Sequence, residues 1–368
     1  MNKSQPNQLR LAFLDVMRGL IMILLAAESC RVYLSLNNFQ FGAVGKAIVQ
    51  QFFHHTWNGL HFWDLVQPAF MFIAGSAMYI SFYYKSKKGI SWSRNFNHII
   101  IRCIKLFFLG VLLHCIYAGR LVWELWNILT QLAVTTIIAY LIIKKSFRYQ
   151  LIVSVLLLVL TEVLYRTFPL AGYNEPFVIG RNFGSWMDMV LMGKINNDGW
   201  VAVNIISTAA HTIWGVLAGK LLIEKRSEAT KIIWLLIAGI AGLIAGYGLD
   251  GANITPIIKR ISTSSFVLAS GGWVLLILAL LYWITDMLKY NKYAWIFVVV
   301  GMNSIFIYMF FQLLGGWLVK TTGIFTNGFM SLLNVPENAM FFITSLVALF
   351  IIWYICYWLY RHKIFIKL

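Results

Sequence analysis

The sequence predicts an all-α, polytopic helical membrane protein with about ten transmembrane helices and both termini in the cytoplasm. Three observations predict it. Of its 368 residues 60% are hydrophobic and only 12% are charged, too little polar surface to clothe a water-soluble domain, so lipid must cover much of the exterior. The apolar residues gather into runs near 20 residues long, the length at which a helix crosses the hydrocarbon core of a bilayer. The charges gather between those runs, as they do in membrane-flanking loops. No polar stretch is long enough for a separate soluble domain, so residues 1–368 are read as one transmembrane domain.

In order, the runs fall at about 19–36, 62–84, 103–118, 124–143, 149–166, 203–223, 232–249, 264–287, 294–314 and 339–360. The third and fourth are short, with only Ala118-Gly119-Arg120 and neighbours between them. The first follows a polar stretch holding Asp15 and Arg18 and precedes no small-residue cleavage site, so it is expected to stay as a span. Lys and Arg set the orientation. With the N-terminus inside, 21 of the 30 basic residues fall in the N-terminus and in segments 85–105, 144–148, 220–231, 289–292 and 361–367. Of the 13 acidic residues only Asp15, Glu224, Glu228 and Asp286 fall on that side. The outside loops at 37–61 and 167–202 are long and rich in Trp, Asn, Gly and His, the mark of ordered, functional loops.

A net charge of +17 invites a nucleic-acid reading. Its placement argues against one, since no basic stripe lies interleaved with stacking aromatics on a polar background. The four cysteines, Cys30, Cys103, Cys115 and Cys356, show neither CxxC spacing nor a metal pattern. They read as small buried hydrophobes, and no metal is expected.

Three constellations could carry chemistry. In Arg10-Leu-Ala-Phe-Leu-Asp15-Val-Met-Arg18-Gly19, Asp15 and Arg18 lie three apart and face each other on a helix. They form either a snorkelling anchor or, through guanidinium geometry, a phosphate site. The run Phe53-His54-His55-Thr56-Trp57-Asn58-Gly59-Leu60-His61-Phe62-Trp63-Asp64 sets three of the seven histidines and a carboxylate at a membrane entrance. Imidazoles there suit a general base or acyl carrier; an interfacial aromatic belt is the alternative. The loop Gly180-Arg181-Asn182-Phe183-Gly184-Ser185-Trp186-Met187-Asp188 has the mix that binds sugars, and an ordinary polar turn has it too. Lesser signals are His211, Asn303-Ser304 and the loop 253–265.

Several of these stretches resemble the heparan-α-glucosaminide N-acetyltransferase family of transmembrane acyltransferases. The resemblance rests on Arg10…Asp15-Val-Met-Arg18-Gly19 and on His54-His-Thr-Trp57-Asn58-Gly59-Leu60…Asp64-Leu-Val-Gln-Pro68…Gly75. It continues through Asn182–188, Gly215-Val-Leu-Ala-Gly219-Lys220 and Gly301-Met-Asn303-Ser304-Ile-Phe-Ile-Tyr308. It implies a bacterial, multi-pass protein of the inner cell membrane that moves acetyl from cytoplasmic acetyl-CoA to an amino sugar or glycan outside. The family's active histidine, three residues before the Trp, corresponds to His54. Arg10 and Arg18, with Asp15 and Arg102 nearby, would hold the CoA phosphates.

Asp64 would orient the imidazole, and Asn303 would donate to the developing oxyanion. Trp57, Asn58, Asn182, Trp186 and Asp188 would meet the acceptor. The implied partners are this acyl donor, a saccharide acceptor and membrane lipid, with a homodimer compatible. The chain departs from the family at Gln131, where an Arg is expected, and within Ala27-Glu28-Ser29-Cys30-Arg31, which lacks an expected Asn. A sugar transporter is the rival class; it would show inverted repeats and broken helices.

Overall fold

The computed structural model describes residues 12–168 and 170–366. They form fourteen α-helices, α1 (Ala12–Ser29), α2 (Val32–Asn37), α3 (Ala43–Gln50), α4 (Val66–Lys87), α5 (Trp92–Ala118), α6 (Ile128–Leu141), α7 (Phe147–Thr167), α8 (Phe183–Met192), α9 (Ile205–Ile223), α10 (Glu228–Gly251), α11 (Ser264–Tyr282), α12 (Ala294–Gly301), α13 (Ser304–Leu332) and α14 (Glu337–Arg361). Among the described residues there is no strand, only an isolated antiparallel bridge between Asn58 and Ile258. The protein is all-α and polytopic, as predicted.

Among the described residues, eight helices are long and apolar enough to cross a membrane: α4, α5, α7, α9, α10, α11, α13 and α14, three of them extended by adjoining turns. The other two predicted runs are helical as well. The α6 helix has 14 residues, and α1 carries three ionisable groups, Asp15, Arg18 and Glu28.

Local chemistry sets the boundaries. Ser91, Ser146 and Ser227 cap α5, α7 and α10 by accepting the N–H three residues on. Asn127 caps α6 by accepting from Leu129 and Thr130. Because Ser91 starts α5 early, Arg94, Arg102 and Lys105 sit on a helix rather than in the loop the hydropathy implied. At its other end α5 stops at Gly119, in the left-handed region at φ 62°. The α13 helix runs well past the apolar run ending near residue 314, since Lys320, Thr321 and Thr322 lower hydropathy without breaking a helix. The ninth run is interrupted at Met302 and Asn303, between α12 and α13.

The chain divides into two compact units. One holds residues 55–60 and 64–280, hence α4 to α10 and nearly all of α11. Here α9 is central and packs against α4, α6 and α7. Glycines allow the α4–α9 approach: a Cβ on Gly75 would lie 2.1 Å from Thr212 O, and one on Gly215 would lie 2.1 Å from Phe72 O. Ser76 Oγ donates to Gly215 O at 2.8 Å across the same seam. Without a hydrophobic drive between helices in lipid, such small-residue seams and interhelical hydrogen bonds hold the spans together. Gly215→Leu is expected to cost at least the upper part of the ~1–3 kcal/mol range for overpacking, because its obstacle is backbone. Thermal unfolding in detergent checks this against Gly248→Ala, whose added Cβ meets open space.

The other unit holds residues 12–54, 61–63 and 281–366 among those described. Here α1 packs on α12, α13 and α14. A Cβ on Gly19 would fall 1.8 Å from Phe297 O, and one on Gly301 would fall 2.8 Å from Asp15 O. The first and last motifs singled out in the sequence therefore interlock. Asp286, in the π-helical turn Trp283–Met287, accepts the Phe13 N–H at 3.1 Å, placing a carboxylate at the start of α1 where the helix dipole favours it.

Candidate active site

The histidine-rich run is shared between the units, with residues 54 and 61–63 in one and 55–60 and 64 in the other. In the α1-containing unit, His54 is exposed and its ring lies 6.4 Å from that of Trp63, which is buried. Trp63 meets Tyr33 edge-on at 5.2 Å, and Tyr33 stacks on Phe52 at 4.8 Å. The backbone beside His54 is fixed by His61 Nδ1 with Phe53 O at 2.9 Å and by Trp63 N–H donating to Gln51 O at 2.9 Å. An exposed imidazole beside a buried aromatic cluster is the outcome.

In the α4–α11 unit the same run is laced to two distant loops. The fully buried Asp64 accepts the His55 backbone N–H at 3.2 Å, and its other oxygen lies 3.3 Å from Lys259 Nζ. The Lys259 ammonium also stands 5.5 Å over the Trp200 ring. Gly59 N–H donates to Ile257 O at 2.8 Å, beside the Asn58–Ile258 bridge. Gly59 has φ 143°, and a Cβ there would lie 2.5 Å from His55 Nε2, so glycine serves both the backbone and the imidazole. Trp57 Nε1–H donates to Phe177 O at 2.8 Å. Trp57 and Trp186 pack on one apolar cluster with Phe183, Val201, Ile258 and Ile261. Three loop segments thus converge on one core, and the exposed Asn58 sits among them.

Two residues of the second long loop have their polar atoms engaged by protein groups, Asn182 within the loop and Asp188 partly by Trp126 before α6. Asn182 Oδ1 accepts from Ser185 N–H at 3.0 Å as the cap of α8, and its Nδ2 donates to Val178 O at 2.7 Å. Asp188 is buried and accepts from Trp126 Nε1–H at 2.7 Å and Ala202 N–H at 2.9 Å. Burial pushes its carboxyl up to about 6 against the pull of those two donors. A raised acid pKa means the fold holds the proton more tightly than the unfolded chain does. The resulting stability is complete below about 3.9, the unfolded value, and is lost as pH rises through about 6. The unfolding midpoint should therefore fall between pH 4.5 and 7.5, and Asp188→Asn should flatten that slope.

A family model described as heparan-alpha-glucosaminide N-acetyltransferase, catalytic, matches residues 10–249, nearly two thirds of the chain. The chain belongs to that family. The heparan-alpha-glucosaminide N-acetyltransferases of Homo sapiens and Mus musculus are each 24% identical to it. The alignments cover 98% and 100% of this chain, and 60% and 61% of those relatives. The chain thus spans about three fifths of the length of these relatives.

In this family member Asp15 and Arg18 form the expected pair, Oδ1 to Nη1 at 3.3 Å, half-buried on α1. Arg102 is exposed on α5, and Arg10 lies outside the described residues. Gln131, where the family pattern has Arg, accepts from Gln67 Nε2 in a buried, neutral pair between α6 and α4. Asn303 is buried; its Nδ2 donates to Ile364 O at 3.0 Å and its Oδ1 accepts from Ile366 N–H at 2.9 Å. That clamp fills the α12–α13 break with the C-terminal backbone, and the oxyanion role expected of Asn303 gains no support from it. Lys259 was missed in the sequence. Its one trace was a Lys-Arg pair inside the Ser/Thr-rich loop 253–265, past the matched segment.

Proposed function

We propose that this protein is a transmembrane acetyltransferase that passes an acetyl group from acetyl-CoA to a saccharide acceptor on the opposite side of the membrane. The observation that carries the reading is the catalytic-domain match over residues 10–249, which contains the whole segment His54 to Asp64. His54 is the reacting imidazole. As a base it takes the proton of the acceptor amine or hydroxyl while that atom attacks the thioester carbonyl, and the leaving CoA thiolate recovers the proton. As a carrier it would hold the acetyl group between the two half-reactions. Asp64 fixes the backbone at His55, and Lys259 holds that carboxylate in place. Arg18, held by Asp15, with Arg10 and Arg102, offers guanidinium partners for the CoA phosphates. Trp57, Asn58 and Trp186 present ring faces and an amide to the acceptor, near the loop that Asn182 and Asp188 brace. The protein works in a cell membrane.

The test is a two-compartment assay. Labelled acetyl-CoA is enclosed in proteoliposomes and glucosamine or a short amino-sugar oligomer is supplied outside. Acetylated product is expected outside while CoA accumulates within. CoA release without product, or product formed equally from free acetate, would refute the reading.

A further inference from the structure

In the α4–α11 unit, helices α7, α9, α10 and α11 enclose a cleft of about 790 Å³. It arises from residue size. The α10 and α11 helices are drawn together at glycine, where a Cβ on Gly246 would lie 2.5 Å from Ala269 N and one on Gly272 would lie 2.7 Å from Gly239 O. Their small residues leave the wall facing α9 recessed, while Trp214 closes the deep end against Gly271. Most of the lining is Leu, Ala, Gly and Trp, and the rim residues Phe147, Leu151 and Trp234 are exposed to the surroundings. Water gains nothing in such an apolar space, and an open cleft beside lipid fills with hydrocarbon.

One end of the cleft differs. Arg148, from the start of α7, and Arg226, from the α9–α10 turn, stand at its mouth. Arg226 Nε is taken by Glu224 Oε2 at 2.6 Å, leaving its terminal nitrogens for a second acceptor, and Arg148 makes no ion pair among the described residues. Glu224 lines the cleft too, but Lys144, Lys145 and Lys225 neighbour the two arginines in sequence, so cations outnumber that one carboxylate on the face that the charge count assigns to the cytoplasm. Trp234, on α10, lines the same cleft and is exposed, as aromatics are in membrane-flanking belts.

We propose that this cleft binds an anionic phospholipid of the cytoplasmic leaflet, with an acyl chain between the helices and the phosphate at Arg148 and Arg226. The site involves none of the residues placed in acetyl transfer, so it stands whether or not that activity does.

The probe is dioleoylphosphatidylglycerol, with dioleoylphosphatidylcholine as the neutral comparison, added to full-length protein in detergent. Binding is read by native mass spectrometry and by the thermal midpoint. Wild type should retain the anionic lipid in preference and gain more thermal stability from it. The double variant Arg148→Ala/Arg226→Ala should lose the preference about tenfold or more, since hydrogen bonds to charged groups are worth that much. Ala241→Phe, which fills the cleft and keeps both arginines, should weaken both lipids. Equal retention of the two lipids by wild type would overturn the proposal, as would an unchanged preference in the arginine variant. A cross-link from Ala241→Cys to a second copy, seen equally with and without added lipid, would give the cleft to a helix of another chain and overturn it too.

Discussion

His54→Ala is expected to reduce acetyl transfer by about 10²–10⁴-fold, the usual contribution of a positioned acid–base group. The fold should survive. His54 is exposed, so truncation resembles a surface change, within about 0.5 kcal/mol. The informative comparison is His55→Phe. The His55 ring lies against Gly59 and its backbone N–H is held by Asp64, neither of which needs an imidazole. Rates measured at saturating acetyl-CoA should therefore fall far more for His54→Ala than for His55→Phe. The reverse ranking would move the reacting group to the neighbouring residue, and full activity in both would remove the run from the chemistry.

Lys259→Met should be the most destabilising single change near the site. It leaves the Asp64 carboxylate, fully buried, without the ammonium 3.3 Å away. Breaking a buried ion pair from one side costs about 3–5 kcal/mol, because an uncompensated charge stays behind. Asp64→Asn should also destabilise by removing the charged partner of the buried Lys259 ammonium, although the amide oxygen still accepts the His55 N–H. The double variant should be less unstable than the sum of the two, since the second change removes the charge stranded by the first. Chemical denaturation of all four proteins in mixed micelles measures the coupling. Additive losses would mean the two side chains do not act as a pair. Acetyl transfer should fall in both single variants even where the fold persists, because the side chain that accepts the His55 N–H, next to His54, is no longer anchored by the Asp64–Lys259 ion pair.

Much of the candidate site was legible in the chain, and what was missed has a common cause. The run from Phe53 to Asp64 stood out because three histidines and an acid beside an apolar span are costly without a purpose. The Asp15–Arg18 pair could be read because helix geometry sets residues three apart on one face. Lys259 could not, since a lysine in a Ser/Thr-rich loop looks the same whether it faces water or a buried carboxylate far off in sequence. The partners of Asn303 were hidden for a similar reason. A carboxamide inside a span signals a hydrogen bond and not its partner, which here is the backbone at Ile364 and Ile366.

The sequence by itself determined the helical, polytopic class and the ten helical runs, because hydropathy and charge are summed along the chain and need no knowledge of neighbours. It also determined where several helices begin, since Ser91, Asn127, Ser146 and Ser227 act on N–H groups two or three residues away. Only the tertiary structure decided that Gly19 meets α12, that Gly75 and Gly215 share a seam, and that Lys259 pairs with Asp64. Those are pairings between remote segments, and a partner across a helix interface leaves no mark in local periodicity.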